Sequence, residues 1–514
     1  MTEVLIDKTE GPLVPIHALR KQDLEGFLGR RGERLKAQAA LRDFKAGAGQ
    51  VCVAVRGDGK IDRVLFGLGE DARPDPMLLR ALPTQLPAGD YRIASAPAGL
   101  MSVHAYVAWG LGAYAFDRYK PKPGRPRPRL VAGPRADLAE AHRIVHACAL
   151  ARDMINAPAN DMGPLQIETI AREIAEQYGA SIAVVTGQDL HDANYPAVLA
   201  VGRAAEAARA PRMIELTWGE AGLPVVALVG KGVTFDTGGL DLKPSSGMRL
   251  MKKDMGGAAH ALALGRMVMD AGLKVRLVVL VPAVENAVSG EAMRPGDVIA
   301  TRKGLSVEIG NTDAEGRLIL ADALARAGEL DPEVTIDLAT LTGAARVALG
   351  PQVIPFYTAD DTLAGEIEQA SRRAADPLWR MPLWKGYAEA VDSDIADLKN
   401  DPDGWAQAGS VTAALFLQRF APQKGWAHLD IFAWNPKGGS GRPVGGEAQA
   451  VRARVVRGST GIIRTAASRG RRAPAPPALR RPPAGRRRPW GSRRRCRGGS
   501  SRAPARSAAG TGRR

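Results

Sequence analysis

"LSVEIGNTDAEGRLILADALARAGEL" (Leu305–Leu330) decides how the rest of the chain is read. Its first six residues, "LSVEIG", predict a strand. From Arg317 onward, Leu318, Leu320 and Leu324 gather near one side of a predicted amphipathic helix. Between the two, "NTDAEGRL" sets Asp313, Glu315 and Arg317 at alternate positions, which in an extended segment point the same way. A solvated surface turn accounts for Asn, Asp and Gly at such a place. A strand followed by a helix instead puts the two acids at the carboxyl end of a strand, where open α/β sheets bind ligands.

A second charged cluster argues for the ligand. "VGKGVTFDTGGLDLKPSSGMRLMKKDMGGAAH" (Val229–His260) follows an apolar run and carries Lys231, Asp236, Lys243 and Asp254 in a glycine-rich loop. A phosphate-binding loop is excluded, because Val225 and Gly232 stand where it needs Gly and Ser or Thr. Taken singly, Asp236 fits a turn and Asp254 the first turn of a helix over "DMGGAAHALALGRMVMD". Taken together on one sheet, Asp236, Asp254, Asp313 and Glu315 are four anions that repel unless cations sit among them. Two divalent ions neutralise them. Lys231 can join as a ligand in its neutral form, which burial beside metal cations favours. Lys243 and Arg317 then remain as cations facing a substrate. "HRIVH" (His142–His146) has Arg143 where a zinc-protease helix needs Glu, and His260 and His428 are expected to be structural.

The rest of the chain sets limits. Its 514 residues allow two or more domains. No apolar run reaches membrane-spanning length, and "MTEVLIDKTE" lacks the apolar core of a secretory signal. Cys52, Cys148 and Cys496 are odd in number and far apart, which fits a reduced cytoplasm rather than a disulfide framework. The net charge of +17 comes from the end of the sequence, where Arg452 to Arg514 holds 20 arginines and no acid. The remaining 51 basic residues face 54 acidic ones, so the body is nearly neutral and its charge gives no reason to expect nucleic-acid binding.

Four segments follow. Residues 1–134 read as a small α/β domain, with strands at "VCVAV" (Val51–Val55) and "DRVLFGLG" (Asp62–Gly69) and a helix over Met101–Tyr119. Within it, "KPKPGRPRPR" (Lys120–Arg129) reads as an exposed linker. Residues 135–156 read as a connecting helix, and 157–453 as a larger domain with a mixed central sheet flanked by helices. In that domain "VVALVG", "VRLVVLVPA" and "VTIDLATL" are apolar runs of buried parallel strands. Residues 454–514 read as a basic, disordered tail.

"VGKGVTFDTGGLDLKP", "MKKDMGGAA", "NTDAEGRL" and "DLATLTGA" resemble, almost letter for letter, the leucyl aminopeptidases of the two-metal cytosol type. "WGLGAYAFDRYK", "NAPANDMGP" and "SDIADLKN" are similar too, and the likeness covers roughly residues 1–450. It implies a two-domain enzyme whose larger domain removes N-terminal residues from peptides. It also implies one metal on Lys231, Asp236, Asp254 and Glu315 and a second on Asp236, Asp313 and Glu315, with Lys243 and Arg317 as the catalytic pair. The ions are expected to be manganese or zinc, with magnesium or cobalt as alternatives, and a bicarbonate on Arg317 would act as base. The resemblance further implies a homohexamer acting on peptides. Met251, Thr340, Gly343 and Phe432 are expected to border the pocket for the first side chain. Many relatives read "HLDIAG" where this chain has "HLDIFA" (His428–Ala433), so Phe432 is expected to narrow that pocket.

The tail departs from the family after "GGEAQAVRA" (Gly445–Ala453), where a closing helix is expected. Its Arg, Ala, Pro and Gly are the residues GC-rich codons encode, which points to a shifted reading frame near residue 454. The alternative is a polycationic arm for nucleic acid, whose binding would weaken steeply with salt.

Overall fold

A computed structural model describes residues 4–100, 102–121, 127–134, 136–402, 407–453, 457–458 and 461–462. The N-terminal part holds a six-stranded sheet of β1 (Leu5–Ile6), β2 (Leu13–Leu19), β3 (Val51–Val55), β4 (Ile61–Gly67), β5 (Gly89–Ser95) and β6 (Pro128–Val131), in the order β1-β6-β5-β2-β4-β3. All neighbours are parallel except β3, which runs antiparallel to β4. The helix expected over Met101–Tyr119 is shorter, Val103–Gly112. The linker expected over Lys120–Arg129 is corrected at its end, because Pro128–Val131 is a strand of this sheet. Leu130 is buried and Arg129 points out to pair with Asp90. Pro128 is tolerated because it is the strand's first residue.

The Leu138–Asn156 helix leaves this part of the chain. Asp137 caps it by accepting from the Glu140 N–H. It stops at Asn156 because Pro158 disfavours helical backbone at Ala157, which is extended at φ −60° and ψ 132°. It packs on both the Val103–Gly112 and the Gly256–Asp270 helices.

Beyond it, nine strands form one sheet among the described residues. They are β7 (Ser181–Thr186), β8 (Arg212–Trp218), β9 (Val225–Gly230), β10 (Gly232–Asp236), β11 (Arg276–Asn286), β14 (Val334–Ala339), β15 (Ile354–Tyr357), β16 (Leu378–Arg380) and β18 (Trp426–Asp430). The order is β16-β15-β18-β14-β9-β11-β8-β7, with β10 added beside the end of β11. The centre, β18-β14-β9-β11 with β10, is parallel, and β15, β8 and β7 bring antiparallel pairs. The apolar runs of the central strands feed two cores by their alternation. Val226, Leu228, Val279 and Leu338 face one, packed under the Gly256–Asp270 helix. Ala227, Val229, Val278 and Leu280 face the other, under the Gly316–Gly328 helix. Each such aliphatic side chain stabilises the fold by about 1.5–3 kcal/mol through burial.

The strand expected over Leu305–Gly310 is β13 (Ser306–Glu308), and it is not part of the central sheet. It lies in a separate three-stranded sheet between β12 (Val298–Ala300) and β17 (Leu398–Lys399). Only Val307 of its three residues is buried, which suits a small half-solvated sheet. The shared sheet expected for the two acidic clusters is therefore corrected: only the 229–260 cluster springs from it. Among the described residues no helix is long and apolar enough to cross a membrane. Most of the basic tail, 454–514, lies outside the described residues; Arg457–Gly458 and Gly461–Ile462 pair antiparallel.

Candidate metal centre

The parallel strands deliver one functional side chain each at their carboxyl ends. Lys231 follows β9, Asp236 ends β10, Asn286 ends β11, Thr340 follows β14 and Asp430 ends β18. Past β10 the chain turns sharply at Gly238 and Gly239, whose φ values of +90° and +66° suit glycine. That turn brings Lys243 back over Asp236. The NTDAEGRL segment arrives from the smaller sheet and is anchored by the Thr312 hydroxyl donating to Gly238 O at 2.6 Å, while the Thr312 N–H donates to Asp241 at 2.7 Å.

All five expected ligands meet there. The Lys231 ammonium bridges Asp254 Oδ2 at 2.8 Å and Glu315 Oε1 at 2.9 Å, and donates to Thr340 O at 3.1 Å. The Lys243 ammonium bridges Asp236 Oδ2, at 2.8 Å, and Asp313 Oδ1. Asp236, Asp313 and Glu315 each place a carboxylate oxygen within 4.8 Å of the others. Asp254 joins this group through Lys231. Lys231, Asp236, Asp254 and Glu315 are all buried, and the centre opens to solvent at Asp313.

The acids outnumber the cations that neutralise them. Burial, and then the charge of Asp236, push Asp313 up to about 6 and Glu315 up to about 8. Burial opposes the Lys231 ammonium, yet Asp254, Glu315 and Asp236 outweigh it and hold that pKa above the usual lysine range. The loss of charge expected for Lys231 is thus not a property of the protein groups alone. Lys243 follows the same balance, burial against Asp236 and Asp313, and is also raised. Asp254 is held low despite burial, by Lys231 and Lys253. Four carboxylates face three ammonium groups, those of Lys231, Lys243 and Lys253, so the acids stay in excess in a buried place, which is costly without further cations. Asp254 Oδ2, Asp313 Oδ1 and Glu315 Oε1 touch the lysines in directions that make no hydrogen bond. Buried lone pairs left in this way fit an oxygen-rich site for divalent cations.

Arg317 is buried beside the cluster. Its Nη1 donates to Asn400 O, and its Nε has no partner among the described residues. Burial lowers its pKa, opposed by Asp401, Glu315 and Asp430. Of the expected pocket residues, Met251 and Thr340 adjoin the cluster. Met251 belongs to a short turn, Met251–Lys253, that leads into Asp254, and the Thr340 hydroxyl donates to Asp254 Oδ1 at 2.8 Å. Gly343 begins the Gly343–Leu349 helix and is exposed. Phe432 is half-buried, with Lys253 and Arg346 against its ring.

Two local expectations differ. Asp313, Glu315 and Arg317 are not in an extended segment: residues 312–313 form a turn, and Glu315 is already helical, at φ −73° and ψ −33°. The acids converge because the turn folds them together. Asp254 precedes its helix, which starts at Gly256. His142 and His146 lie 5.5 Å apart between ring centres and are not in the acid cluster. His260 bonds Gly256 O at 2.6 Å and accepts from Gln449 N at 2.9 Å, and His428 pairs with buried Asp337, so both are structural as expected. Sequence reasoning missed Asn286, whose amide donates to Asp236 Oδ1 at 2.8 Å, and Asn400, which carries Arg317. Asn400 does fall inside "SDIADLKN", but nothing in that stretch signals its partner.

Comparison with known proteins places the chain among relatives of one kind. Residues 149–455 match the model of the cytosol aminopeptidase family, catalytic domain, and 14–132 match that of the M17 aminopeptidase N-terminal domain. A probable cytosol aminopeptidase of Syntrophotalea carbinolica is 39% identical over 492 residues, covering 88% of this chain and 95% of that protein. The crystal structure of a cytosol aminopeptidase from Coxiella burnetii aligns with a TM-score of 0.82 and 41% identity, over 88% of this chain and 97% of its own. The bottromycin maturation enzyme BotP, solved in complex with Mn, aligns at 0.77 and 34% identity, over 86% and 98%.

Proposed function

The chain belongs to the cytosol aminopeptidase family, and we propose that its activity, metal-dependent hydrolysis of N-terminal residues from peptides, depends on two divalent ions held by Lys231, Asp236, Asp254, Asp313 and Glu315. The observation that carries this reading is the meeting of four carboxylates, bridged in pairs by two lysines, in one buried place with unused lone pairs. Lys231, Asp236, Asp254 and Glu315 would hold one ion; Asp236, Asp313 and Glu315 the other. Such ions, when bound, supply Lewis acidity that makes water a nucleophile near neutral pH and polarises a peptide carbonyl. Manganese is supported by the similar BotP structure, with zinc, magnesium and cobalt as further candidates.

The chain's own groups supply the rest. Lys243 reaches into the cluster from the glycine turn, positioned to stabilise the oxyanion that develops as water adds; one such donor contributes about 10²–10³ in rate. Asn400 fixes Arg317 through its carbonyl, and the buried Nε of Arg317, without a partner among the described residues, supports a small anion there, such as bicarbonate, serving as base. Asn286 and the Gly238 N–H hold Asp236 Oδ1, leaving Oδ2 for the centre. Thr340 orients Asp254 in the same way. Met251, Thr340, Gly343 and Phe432 border the first-residue pocket.

The family resemblance supports a homohexamer, and the free, buried Cys52 and Cys148 support a cytoplasmic setting. The separate sheets support a division into an N-terminal domain at 1–134, a connecting helix at 135–156 and a catalytic domain at 157–453. Composition supports reading 454–514 as the product of a frame shift.

The test is to measure hydrolysis of an aminoacyl amide after exhaustive chelation and after adding back Mn²⁺ or Zn²⁺, with bound metal quantified for wild type and Asp313→Asn. Chelation should abolish activity, metal should restore it, and Asp313→Asn should retain less metal. Full activity in excess chelator after long incubation would refute the proposal.

A further inference from the structure

Two cations face one aromatic ring beside the acid cluster. Lys253 Nζ lies 5.1 Å, and Arg346 Cζ 5.0 Å, from the centre of the Phe432 ring. Lys253 is also 4.0 Å from Asp254 Oδ1. One ammonium therefore spans the gap between a carboxylate of the metal centre and the ring, and a single substrate side chain is long enough to cover the same distance. Phe432 is held in place by its own backbone, since the N–H groups of Phe432 and Ala433 both donate to Gln449 Oε1, at 3.1 and 2.7 Å.

The balancing charge at this rim is already committed. Asp254 belongs to the metal centre. Asp430 accepts from Leu341 N at 3.0 Å, Thr342 N at 3.1 Å and the Thr342 hydroxyl at 2.6 Å, which uses both its oxygens. Arg346 is exposed and forms no ion pair among the described residues. Its planar fork can grip a carboxylate through two parallel hydrogen bonds. A substrate ammonium placed here meets two like charges instead, and must compete with them for the ring face.

Resting on the pocket reading above, we infer that Arg346, with Lys253 behind the Phe432 ring, makes the first-residue pocket select acidic N-terminal side chains over basic ones. Glutamyl and aspartyl N-termini are cleaved in preference to lysyl and arginyl ones. Arg346 acts as a binding and specificity residue, not in the bond-breaking step.

The experiment compares kcat/KM for the p-nitroanilides of glutamate, leucine and lysine with the Mn²⁺-loaded full chain. Wild type should favour glutamate over lysine by about tenfold or more, the worth of one charge contact of about 1.4 kcal/mol. Arg346→Glu should lower the glutamate-to-lysine ratio by at least about tenfold, and Arg346→Lys should keep most of it. Lys253→Met should shift the ratio in the same direction as Arg346→Glu. A wild type that prefers lysine, or a ratio unmoved by Arg346→Glu while metal-dependent hydrolysis persists, overturns the charge selection alone. Chelator-resistant hydrolysis of all three substrates overturns the metal-centre reading beneath it.

Discussion

Gly316→Ala puts a close contact in the candidate metal centre to the test. Gly316 is the first residue of the Gly316–Gly328 helix, directly after Glu315. A methyl group there would lie 2.5 Å from Lys231 Cε, 2.7 Å from its Nζ and 2.8 Å from its Cδ. The closest of these falls about 0.9 Å short of ordinary contact, in an interior packed as tightly as a crystal. Lys231 cannot swing away, because its side chain is 4% exposed and its ammonium is held by Asp254, Glu315 and Thr340 O. The misfit therefore passes to the ligands. Overpacking of this size costs about 1–3 kcal/mol of stability, which a folded chain of this length survives. Metal sites tolerate only about 0.2 Å in ligand distance, and misplacement by about 1 Å can lower a rate by about 10²-fold. The expected result is a folded protein with reduced bound metal and kcat/KM lowered by about 100-fold. Gly328→Ala, at the far end of the same helix, is the control: its methyl would meet nothing closer than Pro422 Cγ at 4.0 Å. Circular dichroism, bound-metal analysis and amide hydrolysis read the three quantities. If Gly316→Ala keeps full metal and stays within about threefold of wild-type kcat/KM, the packing argument is wrong.

Three further outcomes follow from the same geometry. With Lys243 in the proposed role of donor and not ligand, Lys243→Ala should lower kcat by about 10²–10³ while bound metal stays near the wild-type amount; loss of metal in parallel with rate would contradict that role. His260 is pushed down to about 4 by burial, and its Nε2 already accepts from Gln449 N. The folded state thus stays neutral where the unfolded chain takes up a proton, so this stability is present above about pH 6.5 and is lost as pH falls toward 4, by up to about 3 kcal/mol. His260→Gln should flatten the acid limb of a denaturant-midpoint titration between those pH values, and identical limbs would rule the account out. For the tail, intact-mass analysis of protein from its native source should give a species without the arginine-rich C-terminal peptides; a mass near 54.4 kDa that includes them would make the arm genuine.

Much of this centre was legible because of where parallel strands end. Once "VVALVG", "VRLVVLVPA" and "VTIDLATL" are taken as buried strands, Lys231 and Thr340 must emerge at one edge of one sheet, and the glycine turn after Asp236 explains how Lys243 returns to it. The length of each apolar run carries that information, since it marks where a strand buried on both faces ends. The geometry of Asp313, Glu315 and Arg317 was not legible in the same way. Their spacing suggests an extended strand, but a turn has no period, and the side chains converge because Thr312 ties the turn to Gly238 and Asp241 across more than 70 residues of sequence. The sheet that carries this segment was also invisible, because a three-residue strand such as Ser306–Glu308 is too short to reveal its partners. Asn400 shows the same limit from the other side. Its amide donates to Asn311 O at 2.7 Å and its carbonyl receives Arg317, so it positions both the turn and that arginine from 89 and 83 residues away. A polar residue that acts only through backbone contacts leaves no charge pattern and no spacing in its own segment. For that reason the charged residues of this cluster could be read from the sequence, while the neutral residues that aim them emerge only from the fold.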